Sequence, residues 1–183
     1  MNVSRLTSAN AALVVVDLQE RLVPAIHEHD RVISNSQLML RAATVLDLPV
    51  FATTQYKKGL GSTCAAIAEL LGAIEPIDKM SFSCFGSPEF SQALEASTRR
   101  TLILCGVEAH ICVLQTGLDA LARGYDVHVM TDAVSSRNPQ NAELGRRRLE
   151  ACGAVMSCTE MAIYEMLGVS GTPAFKAMLP SFK

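Results

Sequence analysis

The chain has 183 residues, 49% of them hydrophobic and 19% charged, with a formal net charge of −2. That length suits one domain with a full core, and so apolar a composition points to a covered subunit face and hence a homo-oligomer. The slight negative charge argues against a nucleic-acid surface, no apolar run reaches the roughly 18 residues of a membrane helix, and the polar first ten residues show no signal-peptide pattern.

Strand and helix patterns alternate along the chain. Ala11–Asp17 (AALVVVD) reads as an apolar strand ending in a carboxylate. Leu18–His29 is a connection containing Pro24 and a short helix. Asp30 caps a helix through Val32, Ile33, Leu38, Leu40 and Val45 to Asp47, and Pro49 stops it. Val50–Thr54 is a second strand, followed by a loop over Gln55–Ser62, a short helix over Thr63–Leu71, an irregular stretch over Gly72–Lys79 and a loop over Ser81–Gly86. Ser87 caps and Pro88 opens a helix that ends near Ser97. Leu102–Cys105 is an apolar strand broken at Gly106, and a helical period resumes through Ile111, Cys112, Leu114, Leu118 and Leu121 up to Gly124. Asp126–Thr131 is the next strand, ending at Asp132. Asn138-Pro139 starts a helix that stops near Gly153, with Arg146-Arg147-Arg148 on its solvated face. Ala154–Ser157 is the last strand and Thr159–Leu167 the last helix. The tail from Thr172, with Pro173 and Pro180, is expected against a neighbour.

Strands joined by helices imply an α/β fold: three αβα layers, with a Rossmann-like parallel sheet covered by helices on both faces. No repeat, low-complexity tract or linker interrupts the pattern, so a single domain over residues 1–183 is expected. The six cysteines, Cys64, Cys84, Cys105, Cys112, Cys152 and Cys158, form no CxxC pair and read as the reduced thiols of a cytoplasmic protein.

Sites in such folds lie beyond the carboxyl ends of the strands. That rule selects Asp17, Thr54, Gln55, Cys112 and Asp132. Cys112 falls in the first turn of a helix, where free N–H groups favour an anion, so an easily ionised, nucleophilic thiol is expected there. The alternative is a small core hydrophobe. Asp17 reads either as a carboxylate at the site face or as a turn residue. Lys79 lies among apolar neighbours and reads either as an ordinary surface charge or as a cation beside a thiol and a carboxylate, where it would lower the thiol pKa and hold the base in place. No GxGxxG follows the first strand and no GxxxxGK[ST] or GxSxG occurs, which argues against dinucleotide sites, P-loops and serine hydrolases.

Three motifs in order, VVVDLQ, DKMSFSCF and GVEAHICV, resemble the isochorismatase-like cysteine hydrolases over about Ala11 to Gly168. TTQYKKGLG and LCGVEAHICV look nearest to the isochorismatase-domain-containing branch. The resemblance implies hydrolysis of a small amide, carbamoyl or ester substrate through a thioester. It places a catalytic triad on Asp17, Lys79 and Cys112, a non-proline cis peptide at Val107–Glu108, and an oxyanion hole on the backbone N–H groups of Glu108 and Cys112.

The chain departs from two relatives of that superfamily. Nicotinamidases carry a metal-binding DxH after the second strand, but here the stretch reads Thr53-Thr54-Gln55-Tyr56-Lys57, so no metal and no cofactor are expected. His27 and His29, two apart, do not share a helix face, and His128 reads as a packed or exposed strand residue. True isochorismatases lack the cysteine. Gln55, Tyr56, Phe82 and Phe85 are expected in a pocket wall or subunit interface. Two other readings remain: a non-catalytic binding scaffold of the same fold, and a thiol sensor at Cys112.

Overall fold

Strand β1 (Ala11–Val16) is buried along its whole length, which places it inside a sheet covered on both sides. Its side chains alternate: Ala11, Leu13 and Val15 join one core cluster, Ala12, Val14 and Val16 the other. Strand β4 (Thr101–Val107) divides in the same way, Ile103 and Cys105 to the first cluster, Leu102 and Leu104 to the second. The computed structural model describes residues 5–182, so the start of the polar leading segment and both ends of the expected domain lie outside the described residues.

With β2 (Val50–Gln55), β3 (Ile77–Lys79), β5 (Asp126–Ser135) and β6 (Val155–Ser157), these strands form one sheet in the order β3-β2-β1-β4-β5-β6, parallel throughout. The fold is α/β and Rossmann-like. Helix α1 (His29–Leu46) covers one face through Val32, Met39 and Leu40. The short α2 (Lys57–Leu60) lies at the rim beyond β2. Helix α3 (Ala65–Leu71) adds Ile67 to the α1 face. On the other face lie α4 (Pro88–Ala96) with Phe90, α5 (Cys112–Ala122) with Val113, and α6 (Pro139–Ala151) with Leu149. The first face is completed by α7 (Thr159–Leu167) and α8 (Pro173–Met178), which bury Ile163 and Met178. The chain moves outward from β1 to β3, then crosses back to β4 on the other side of β1. That reversal opens a crevice at the carboxyl ends of β1 and β4.

Several boundaries differ from the sequence reading. Residues 72–79 are not wholly irregular: Ile77–Lys79 pairs with β2 as an edge strand, Gln55 in register with Lys79. Three residues are too few to show a period. The segment after Gln55 contains α2 rather than only loop. Strand β5 does not end at Asp132 but continues to Ser135 past an irregularity in its pairing with β4. The Asp132 carboxylate therefore lies away from the crevice, accepting the Thr159 N–H at 2.9 Å and the Thr159 hydroxyl at 2.9 Å to cap α7. The tail packs on its own chain. Met178 is fully buried, and the Tyr164 ring lies 5.0 Å from Phe182 and 6.2 Å from Phe175. Arg146 and Arg147 both bind Glu143 on the exposed side of α6.

Gly106 sits where β4 passes β1, at φ 111°. A Cβ there would stand 2.1 Å from the Val16 carbonyl oxygen and 2.7 Å from the Val16 nitrogen. Both are backbone atoms that cannot rotate away. Gly106→Ala is expected to destabilise the chain by about 3 kcal/mol or more, from the overlap and the positive φ together. Urea denaturation of the variant checks this, and a loss under about 1 kcal/mol would show that the strands separate freely at this point.

Candidate active site

The chain leaves β1 through Asp17 in the left-handed region, φ 51°, which Asp tolerates better than most residues. Its side chain is fully buried. Thr53 on β2 donates its hydroxyl to Asp17 Oδ1 at 2.7 Å, and Lys79 Nζ donates to Oδ2 at 2.8 Å. Lys79 reaches in from the edge strand β3, its side chain also 0% exposed. The ammonium also donates to Gln55 Oε1 at 2.8 Å, to the Phe82 carbonyl at 3.1 Å and to the Ser81 carbonyl at 3.3 Å. Four acceptors for three protons fix the cation completely. Cys112 is the first residue of α5, and its Sγ lies 3.9 Å from Gln55 Oε1.

Charge sets the resting state of this cluster. Burial alone would lower Lys79, but Asp17 beside it, with the Cys112 and Cys84 sulfurs, holds it above its ordinary value. The Cys112 thiol is pushed up, first by burial and then by the Asp17 carboxylate, and Lys79 pulls only part of the way back. This corrects the expectation of a readily ionised thiol at a helix start: desolvation and a neighbouring anion outweigh the helix end and the cation. At rest Cys112 is a thiol next to a carboxylate that can take its proton. Cys84, wholly buried with its Sγ 3.9 Å from Thr53 Oγ1, is pushed up to about 11.

Between β4 and α5 the Val107–Glu108 peptide is cis. The Ala109 N–H donates to the Ser135 carbonyl at 2.8 Å, and the Ile111 and Val113 N–H groups donate to the Glu108 carbonyl at 3.0 and 3.2 Å. Among the described residues, the N–H groups of Glu108, His110 and Cys112 have no such bond. The Glu108 carboxylate, 6% exposed, accepts the Arg137 N–H at 2.8 Å and Arg137 Nε at 3.2 Å. His110 Nδ1 lies 2.8 Å from the Ser136 hydroxyl. Helix α6 supports the turn from behind. A Cβ on Gly145 would stand 2.7 Å from His110 Cα, so only glycine lets the helix come this close.

A cavity of about 320 Å³ opens over the cysteine. Leu22, Leu60, Phe82 and Ile111 form its apolar wall, and Gln55, Glu108 and Arg137 its polar part. Of the four expected wall residues, Gln55 and Phe82 are therefore present. Tyr56 and Phe85 are not. Phe85 packs in the core at 5.3 Å from Phe90, drawn there by the turn of residues 84–86, and the Tyr56 ring folds over Gly59. His27 is exposed and His128 buried in β5, where burial lowers its pKa. The described residues contain no group of three or more His, Cys, Asp or Glu side chains that could hold a metal ion.

Several residues of the site carried no signal in the sequence. Arg137 and Leu22 come from connections whose paths only the fold reveals. For Gln19, fully buried, the signal is its place in VVVDLQ, two positions after the carboxylate. Its side chain binds the backbone of Gln55 and Gly61.

Residues 11–161 match the isochorismatase domain family. The chain belongs to the isochorismatase family. It is related to the isochorismatase-domain-containing branch of that cysteine-hydrolase superfamily. It is 38% identical over 95% of its length to the secreted isochorismatase effector Isc1 of Phytophthora sojae, covering 85% of that protein. It is 37% identical over 93% of its length to isochorismatase domain-containing protein 1 of Danio rerio, and spans only 60% of that longer chain. Among solved structures, the MAR1 ribonuclease of Caenorhabditis elegans superposes with a TM-score of 0.91 at 38% identity, covering 97% of this chain and 92% of that one. YcaC of Pseudomonas aeruginosa, with hexane-2,5-diol and covalent acrylamide, superposes with a TM-score of 0.92 at 26% identity, covering 99% and 93%. For an isochorismatase family member, a cysteine, a carboxylate and a lysine brought together at the switch point are the groups that cysteine-hydrolase chemistry requires.

The opposing influences on the thiol give a signed expectation. Asp17→Asn removes the anion that raises Cys112 and leaves the Lys79 cation that lowers it. The thiol should then be alkylated by iodoacetamide at lower pH than in the native protein, while any turnover falls by about 100-fold or more as the base is lost. Site-resolved mass spectrometry across a pH series checks the first part. A midpoint that stays or rises would mean that Asp17 does not act on the sulfur.

Proposed function

We propose that this chain is a cysteine hydrolase of a small amide, carbamoyl or ester compound, acting through a Cys112 thioester. The observation that carries the proposal is the fully buried Asp17–Lys79 pair beside a thiol that opens on a small cavity. A buried ion pair is costly to form and is weak evidence for stability, so its place beside a nucleophile points to chemistry. The covalent acrylamide in the YcaC structure supports a reactive nucleophile in this fold.

In this reading Cys112 Sγ attacks the carbonyl carbon while Asp17 takes the thiol proton. Lys79, with every proton engaged, stays charged and stabilises the ionised state without giving up a proton. The oxyanion is received by the free N–H groups of Glu108 and Cys112, a pair of donors worth about 3–4 kcal/mol each at comparable sites. Asp17 passes its proton to the leaving amine or alcohol. It then takes a proton from the water that opens the thioester, and the thiol is restored. The cavity of about 320 Å³ suits a small-molecule substrate, and its wall favours an apolar acyl part. No step calls on a metal or cofactor. The unpaired cysteines support a cytoplasmic location, and the exposed side chains of Leu144, Met161 and Val169 support a homo-oligomer of this one domain.

The likeness to the MAR1 ribonuclease favours a second reading, hydrolysis of RNA. The net charge of −2 and the apolar wall support the first. One experiment separates them. The protein is incubated with a panel of short-chain amides and esters and, in parallel, with single-stranded RNA, with and without chelator. A chelator-insensitive release of amine or alcohol, with an acyl mass trapped on Cys112, is the expected result. RNA cleavage that survives Cys112→Ala, with no acyl adduct, would replace the first reading by the second.

A further inference from the structure

Gln55 occupies the point where cation and nucleophile meet. Its amide can be oriented without ambiguity: Nε2 donates to the Met80 carbonyl at 2.9 Å, and Lys79 can only donate, so the oxygen faces Lys79 and the sulfur. That oxygen lies 2.8 Å from Lys79 Nζ and 3.9 Å from Cys112 Sγ. Gln55 is itself held from below. Gln19, fully buried, donates from Nε2 to the Gln55 carbonyl at 3.1 Å and to the Gly61 carbonyl at 2.8 Å, and its Oε1 accepts the Gln55 N–H at 2.7 Å. Every polar atom of the Gln19 side chain is thus spent on fixing the end of β2 and the segment after it. So much anchoring is more than a pocket wall needs.

We propose that Gln55 is a positioning residue of this centre: its neutral amide oxygen pins the Lys79 ammonium beside the Cys112 sulfur, and Gln19 fixes Gln55 in turn. Neutrality is the essential property. The charged and titratable groups around the sulfur are Asp17 from the end of β1, Lys79 from β3, Cys84 from the turn before α4, and the Glu108–Arg137 pair across the cavity, with His110 bound to Ser136 behind. Asp17 and Lys79 cancel, as do Glu108 and Arg137. A thiolate or an oxyanion therefore forms in a site with no net negative charge. A carboxylate at position 55 would keep the length of the side chain and the bond from Lys79, would give up the bond to the Met80 carbonyl, and would set a second anion against the sulfur.

The inference rests on Cys112 being the nucleophile, and its test uses no substrate. The rate of Cys112 alkylation by iodoacetamide is measured from pH 6 to 10 by site-resolved mass spectrometry, in the native protein and in Gln55→Glu. The midpoint is expected to rise by about one pH unit or more in the variant, since a like charge near an ionising group disfavours its charged form. A folded Gln55→Glu protein with the native midpoint overturns the proposal and leaves the nucleophile reading standing. A native Cys112 that takes no label anywhere in the series overturns both. If Gln55→Glu does not fold, Gln55→Met decides. It has similar length and only a weak acceptor, so Lys79 is released toward its remaining partners and the midpoint should again rise, by less. An unmoved midpoint in that variant, with only the melting temperature changed, reduces Gln55 to packing.

Discussion

The buried pair of Asp17 and Lys79 ties the centre of the sheet to its edge. Removing two ions from water costs several kcal/mol each, and attraction across 2.8 Å offsets this only when the remaining valences are filled. Here Thr53 fills one side, and Gln55 with the carbonyls of Ser81 and Phe82 fills the other. The short strand β3 follows from that requirement. Three residues pair with β2 just long enough to deliver Lys79 in register with Gln55. The loop after β3 then bends back so that two of its carbonyls reach the same ammonium. Electrostatic need, more than strand propensity, explains why this edge is ordered.

The core layers place everything else. Each central strand divides its side chains between two apolar clusters, so β1 and β4 cannot slip by one residue without turning buried groups to the wrong face. Register in the core therefore becomes register in the crevice: Val16 stands opposite Gly106, and the next residues are Asp17 on one strand and the turn leading to Cys112 on the other. Gly106 permits that approach and Gly145 lets α6 brace the turn from outside. Precision at the reacting atoms is inherited from burial far below them.

Much of this was legible in the sequence, and the reason is physical. Strands buried on both faces are apolar runs, and helices with Ser-Pro or Asn-Pro starts announce themselves by their caps. The Ser87 and Asn138 side chains do accept the first free N–H groups of α4 and α6. What stayed hidden depends on long-range contact. Strand β3 is too short to have a period. Asp132 looks like a strand-end carboxylate until the extension of β5 turns it to α7. Phe85 and Tyr56 read as apolar loop residues, and only packing shows that one belongs to the core and the other to the surface. The ionisation of Cys112 was misjudged from sequence because a helix start is visible there and desolvation is not. Arg137 meets the Glu108 carboxylate and Gln19 the backbone of Gln55 and Gly61, partners in distant segments that no spacing rule records.

The saturated state of Lys79 has a bearing on how such a centre can be found. Lysines are commonly surveyed with acylating reagents that need a free amine reachable from water. This one is sealed from solvent, held protonated, and has no lone pair to offer. A proteome-wide lysine map would pass over it. The sulfur beside it faces a cavity open to small electrophiles, so the centre has one chemical handle. Relatives that kept the cation and lost the cysteine would be silent in both kinds of survey, and only the geometry of an edge strand would give them away.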